Sequence, residues 1–146
     1  MNNGAKMIFP KALNLDNLIF RIGEVSKMLN VSTRQLRYWE QKGYIQSMRN
    51  KCGESRVFDM KNFMCINLMK YYLNQGFTLA KSHEFAKQNL KNMKLLRNFM
   101  TNSFQGIENV NDRPAINLGY FDKEQTSILY GFIDNEDSVS YKVIKK

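Results

Sequence analysis

Residues 32–43 read STRQLRYWEQKG, and how this stretch folds decides the rest. Ser32 is a favoured helix N-cap, and Gln35 three positions on completes a capping box, each side chain able to bond the other residue's backbone N–H. Gly43 offers the left-handed residue that closes a helix. The stretch therefore predicts a helix from Thr33 to Lys42. On a wheel of 3.6 residues per turn, Arg34, Arg37, Tyr38 and Gln41 fall within about 100° of one another. Leu36 lies on the opposite side, flanked by Trp39 and Glu40. Leu36 anchors the helix to a core, and Trp39 belongs with that packed side rather than with the outward one.

The neighbours supply the core. In 22–29, IGEVSKML, the residues Ile22, Val25, Met28 and Leu29 recur at helical spacing, and the pattern stops near Asn30. Two short helices joined by three or four residues predict a helix-turn-helix. After Gly43, apolar Tyr44, Ile45 and Met48 lead into the polar centre RNKCGES at 49–55, and Val57 and Phe58 lead out. That pattern predicts a small hairpin wing. Asp59 caps a third helix closed by Gly76, with Phe63, Ile66, Met69 and Leu73 turned to the back of the helix-turn-helix. Thr78 then caps a helical region running to about Phe104, in which Leu79, Phe85 and Ala86 serve the domain.

Beyond them Leu90, Met93, Leu96, Met100 and Phe104 form a second stripe, spaced for a helix that packs on another helix. Its simplest partner is its own copy in a two-fold dimer. Residues 1–19 read as a loose arm, and 105–119, with Gly106, Pro114, Gly119 and several Asn and Asp, as a linker. In 120–146 the period changes: Ile128, Tyr130 and Phe132 alternate, as do Val139, Tyr141 and Val143, around DNED. This predicts a β-hairpin that must pack on something. The expected fold is mainly α: a winged helix-turn-helix at 20–85, a dimerisation helix at 86–104, and a small C-terminal hairpin.

Charge points to a partner. The 146 residues carry a net charge of +9, and residues 1–104 hold 17 Lys and Arg against 6 Asp and Glu. The remainder holds 5 against 7, so the body alone is suited to a polyanion. The outward face of 33–42 carries groups that read DNA: arginine pairs with guanine in the major groove, glutamine with adenine, and a tyrosine hydroxyl reaches a phosphate. Free N–H groups at Ser32 and Thr33 favour a phosphate, and Arg49, Lys51 and Arg56 on the wing would reach the flanking backbone or minor groove. No enzyme is expected: the single histidine, His83, has no nucleophile suitably placed beside it. Cys52 and Cys65 lack the neighbours of a zinc site, so neither metal nor cofactor is expected. No apolar run of about 18 residues suggests a membrane span, and the first twenty residues lack the layout of a secretion signal, so the expected place is the cytoplasm.

RIGEVSKMLNVSTRQLRYWEQKGYI, then ESRVFDMKNF, then LNQGFTLAKSHEF, together resemble the MerR (mercury-resistance regulator) family of winged-helix transcription factors across about residues 20–85. The resemblance implies a homodimer joined by an antiparallel coiled coil of the long helix. It implies binding to pseudo-palindromic promoter DNA, and spacer distortion that lets RNA polymerase engage. It places Thr33, Arg34, Arg37 and Tyr38 at the DNA and Arg56 on the wing. Trp39 stands where the family usually has a second tyrosine. No cysteine follows Cys65, which argues against a metal or redox sensor, and the C-terminal segment is too short for a deep drug pocket. Two other functions fit the same residues. One is an excisionase-like or partitioning factor that bends DNA. The other is an adaptor that pairs an exposed strand at Ile128, Tyr130 and Phe132 with a partner sheet.

Overall fold

The computed structural model describes residues 15–48, 55–135 and 137–146, so the tip of the wing, with Arg49, Lys51 and Cys52, lies outside the described residues, as does most of the arm. The chain divides into two compact units, Asn14–Leu95 and Leu96–Lys146.

The first unit begins with a strand the sequence did not suggest, β1 (Ile19–Arg21), which starts at the last residue of the expected arm. It runs directly into α1 (Ile22–Leu29), whose start is set by the Glu24 carboxylate accepting the Arg21 N–H at 2.6 Å. Asn30 stops α1 in the left-handed conformation, and Lys70 Nζ donates to the freed Leu29 carbonyl. Helix α2 (Thr33–Gln41) follows, and its capping box is formed as expected. Ser32 Oγ accepts the Gln35 N–H at 3.1 Å, and Gln35 Oε1 accepts the Ser32 N–H at 3.0 Å. Gly43, at φ 76°, donates to the Glu40 carbonyl and ends the helix.

Strand β2 (Val57–Asp59) pairs antiparallel with β1, Phe58 opposite Phe20. Met48 and Val57 exchange two backbone bonds, which closes the root of the wing. Asp59 caps α3 (Met60–Asn74) by accepting the Asn62 N–H at 2.8 Å, and α4 (Leu79–Ser103) starts with Thr78 Oγ1 accepting the Lys81 N–H. The core lies where these elements meet: Val25, Leu36, Phe58, Ile66, Met69 and Ala86 are all fully buried. Met28, expected on the inner stripe of α1, is instead 59% exposed, because Ile22, Val25 and Leu29 share an arc of about 60° and Met28 lies about 60° beyond it.

Two groups in this unit give direct predictions. Ser82 is fully buried in α4, and its hydroxyl has no hydrogen-bond partner among the described residues. Removing an unpartnered buried hydroxyl from a helix gains both desolvation and propensity. Ser82→Ala is therefore expected to raise stability by about 1 kcal/mol, read as a higher urea midpoint. His83 stacks on Tyr44 with ring centroids 4.6 Å apart; burial, then the Lys87 charge, hold its imidazole below the usual value of 6.5. A group that binds its proton more weakly when folded stabilises the fold above its unfolded value and loses that contribution as the pH falls. Stability is expected to drop between pH 7.5 and about 5.5, above the carboxylate range, and His83→Gln to flatten that slope.

The second unit corrects the expected architecture. Residues 105–119 are not a linker: they hold β3 (Gly106–Val110) and most of β4 (Arg113–Tyr120). The residues that suggested a linker make the hairpin. Asn111 and Asp112 both have positive φ, as a two-residue turn with the twist of a hairpin demands, and Val110 pairs with Arg113 across it. Pro114 sits before the first β4–β5 pair, Ile116 with Gly131, where its missing N–H interrupts no rung of that ladder. With β5 (Ser127–Asn135) and β6 (Ser138–Lys145) these strands form one four-stranded antiparallel meander, so the chain is mixed α and β rather than mainly α, and the expected hairpin is half of a larger sheet.

Register decides which apolar residues are covered. Leu129 pairs with Val143, Gly131 with Tyr141 and Ile133 with Val139, so Val139, Tyr141 and Val143 lie on the face opposite Ile128, Tyr130 and Phe132. Tyr130 and Phe132 are buried with Ala115. Glu108 accepts the Tyr130 hydroxyl at 2.8 Å and the Asn117 amide at 2.7 Å, and the Arg113 guanidinium lies 5.3 Å from the Phe132 ring. Tyr130 and Phe132 are thus not exposed as the adaptor reading required, and β5 has a strand on both sides and no free edge.

Candidate nucleic-acid interface

Helix α2 positions the site because its inner side is committed. Leu36 and Trp39 are buried in the core, 0% and 3% exposed, which places tryptophan on the packed side as the wheel suggested. The helix can then rotate no further, and Arg34, Arg37, Tyr38 and Gln41 all face out. Together with Glu40 and Arg56 they line a groove of about 670 Å³ between α2 and the exit of the wing. Arg34, Arg37 and Arg56 thus line one groove.

The expected anion site at the start of α2 is smaller than the sequence suggested. Ser32 is used by the cap, and its N–H is taken by Gln35, so of the two residues only Thr33 keeps an N–H without a partner among the described residues. Arg49 and Lys51 lie outside the described residues.

Three residues of the site escaped the sequence. Lys42 Nζ sits 5.6 Å from the Tyr38 ring centroid, adding a cation to the outward face. The spacing of four between Tyr38 and Lys42 was the available signal. Glu40 accepts the Ser47 N–H at 3.1 Å, the Ser47 hydroxyl, and Arg56 Nε at 2.6 Å. Burial works to raise the Glu40 carboxyl, but the bonds from Ser47 and Arg56 outweigh it and hold the group below its ordinary value. An acid in the middle of a basic helix was the only sequence mark of this network, and nothing local pointed to Ser47.

Elsewhere the chemistry is quiet. Cys65 is buried, with its sulfur 3.9 Å from Met69 Sδ, and burial pushes its thiol up. Among the described residues no three His, Cys, Asp or Glu side chains gather as metal ligands would, and no helix is long and apolar enough to cross a membrane.

A buried-core helix-turn-helix, a strand-paired wing root and a basic outward face on the second helix together define a winged helix-turn-helix. Residues 20–89 match the family described as MerR HTH family regulatory protein, a match that spans just under half of the chain. Among solved structures it is similar to a MerR-family transcriptional regulator from Bacillus cereus, at 18% identity and a TM-score of 0.43. The similarity covers 56% of this chain and 66% of that one. No curated protein matches the chain.

Proposed function

We propose that this chain is a transcriptional regulator that binds promoter DNA as a homodimer in the cytoplasm and acts by distorting the spacer so that RNA polymerase can engage. The observation that carries the reading is the outward face of α2, where Arg34, Arg37, Tyr38 and Gln41 stand beside Arg56 in a segment of MerR type. An arginine fork suits guanine, a glutamine suits adenine, and the flanking cations suit phosphates.

Dimerisation is supported by the far half of α4. Met93, Leu95, Leu96 and Phe99 are 42%, 72%, 61% and 62% exposed, an apolar face left uncovered among the described residues. Leu95 and Phe99, one turn apart, widen the stripe expected at Met93, Leu96, Met100 and Phe104. Leu90 packs instead against the core of the first unit. Sedimentation at micromolar concentration is expected to give a dimer, and Leu96→Glu a monomer. A wild-type monomer that stays monomeric on adding DNA would end the dimer reading.

The function itself is tested by selecting bound duplexes from a random pool. Two half-sites related by a two-fold axis and lying in a promoter spacer are expected. Sites confined to recombination or partition loci would point to DNA bending without transcriptional control.

A further inference from the structure

We propose that Glu40 is a positioning residue of the DNA interface: its carboxylate holds the Arg56 guanidinium by Nε and the wing root through Ser47, so that the terminal nitrogens of Arg56 meet a DNA phosphate beside Arg34 and Arg37. This rests on the DNA-binding reading above.

Glu40 is the only acid in α2, and it lines the groove that is to receive a polyanion. A bare carboxylate there would repel phosphate. The structure gives it other work. One oxygen accepts from both donors of Ser47 and the other from Arg56 Nε at 2.6 Å. Ser47 immediately precedes Met48, and Arg56 immediately precedes Val57, the two residues whose backbone bonds close the wing root. A single carboxylate therefore ties both strands of the root to the recognition helix.

The choice of donor matters. Arginine presents five N–H groups in a rigid planar fork, so Nε can face the carboxylate while the terminal nitrogens face elsewhere. Those terminal nitrogens have no hydrogen-bond partner among the described residues, and the side chain is 30% exposed. The Glu40 side chain is 20% exposed. The acid lies behind and the cation in front, which is the order a phosphate requires.

The test is fluorescence anisotropy of the full chain on a labelled mixed-sequence duplex of about 30 bp, over a range of salt. Glu40→Gln is expected to weaken binding about five- to tenfold, although it removes a negative charge, and to lower the slope of log affinity against log salt by about one. Arg56→Ala is expected to do the same, and the double variant to bind within about twofold of either single variant. If Glu40 acted only as a surface charge, Glu40→Gln would bind more tightly. Tighter or unchanged binding overturns the proposal, as does a double variant that loses the product of the two single losses. Amide exchange at Ser47 in the free protein provides the second measure, expected to quicken in Glu40→Gln; unchanged protection overturns the tie. Should Glu40→Gln not fold, Arg56→Lys replaces it: the charge stays but the fork is lost, so several-fold weaker binding supports the proposal and full affinity overturns it. A wild-type chain that binds no duplex would instead remove the DNA-binding reading, a result distinct from any variant's.

Discussion

Phe58→Ala is expected to destabilise the helix-turn-helix unit by about 3–5 kcal/mol, the cost of deleting a buried aromatic ring and leaving a cavity. Phe58 has no exposed surface and sits at the middle of β2, opposite Phe20, whose ring stacks on Phe63 at 4.6 Å. Among the described residues its ring is the largest fully buried side chain, and it joins the core that holds α2 in place. Domains of this kind are stable by about 5–15 kcal/mol, so such a loss removes a large share of the fold's margin. The single tryptophan, Trp39, is buried in the same core and reports on this unit alone. Urea unfolding followed by its emission should show the midpoint fall sharply. A loss under about 1 kcal/mol would mean that the core closes over the gap, and that Phe58 does not hold it open.

Arg37→Ala is expected to cost about 1–3 kcal/mol at a site selected from random DNA, with relaxed preference at one base pair. Arg37 stands one turn after Arg34 on the outward face of a helix whose rotation is fixed by Leu36 and Trp39, so its guanidinium has no competing role in the core. Binding curves on the selected site and on single-base variants separate two outcomes. Loss at one position identifies a base contact. An equal loss on every sequence, with a lower salt slope, would reassign Arg37 to the phosphate backbone.

How much of this could be read beforehand follows from the range of each interaction. The caps of α2 and α3, the stop at Asn30 and the turn at Gly43 are local: each involves residues within four positions, and each forms as the sequence suggested. The outward quartet of α2 is also local, because helical geometry and one buried leucine settle its direction. Glu40 could not be read that way. Its partners are 7 and 16 positions distant, and only the closing of the wing root brings them together.

The C-terminal unit shows the same limit from the other side. Alternation revealed strands at 128–132 and 139–143, but period two says only that side chains alternate, not which set is covered. Pairing Gly131 with Tyr141 put the two apolar sets on opposite faces, and β4 arriving alongside β5 buried one of them. Asn111, Asp112 and Pro114 looked like linker residues because the same chemistry serves a loop and a tight hairpin. For this protein, then, the sequence by itself determined the helix-turn-helix, its caps and the face it turns outward, since these depend on neighbours a few residues apart. Only the tertiary structure decided the four-stranded sheet, the face it covers and the carboxylate that joins wing to helix, because those depend on strand register and on contacts between residues far apart in the chain.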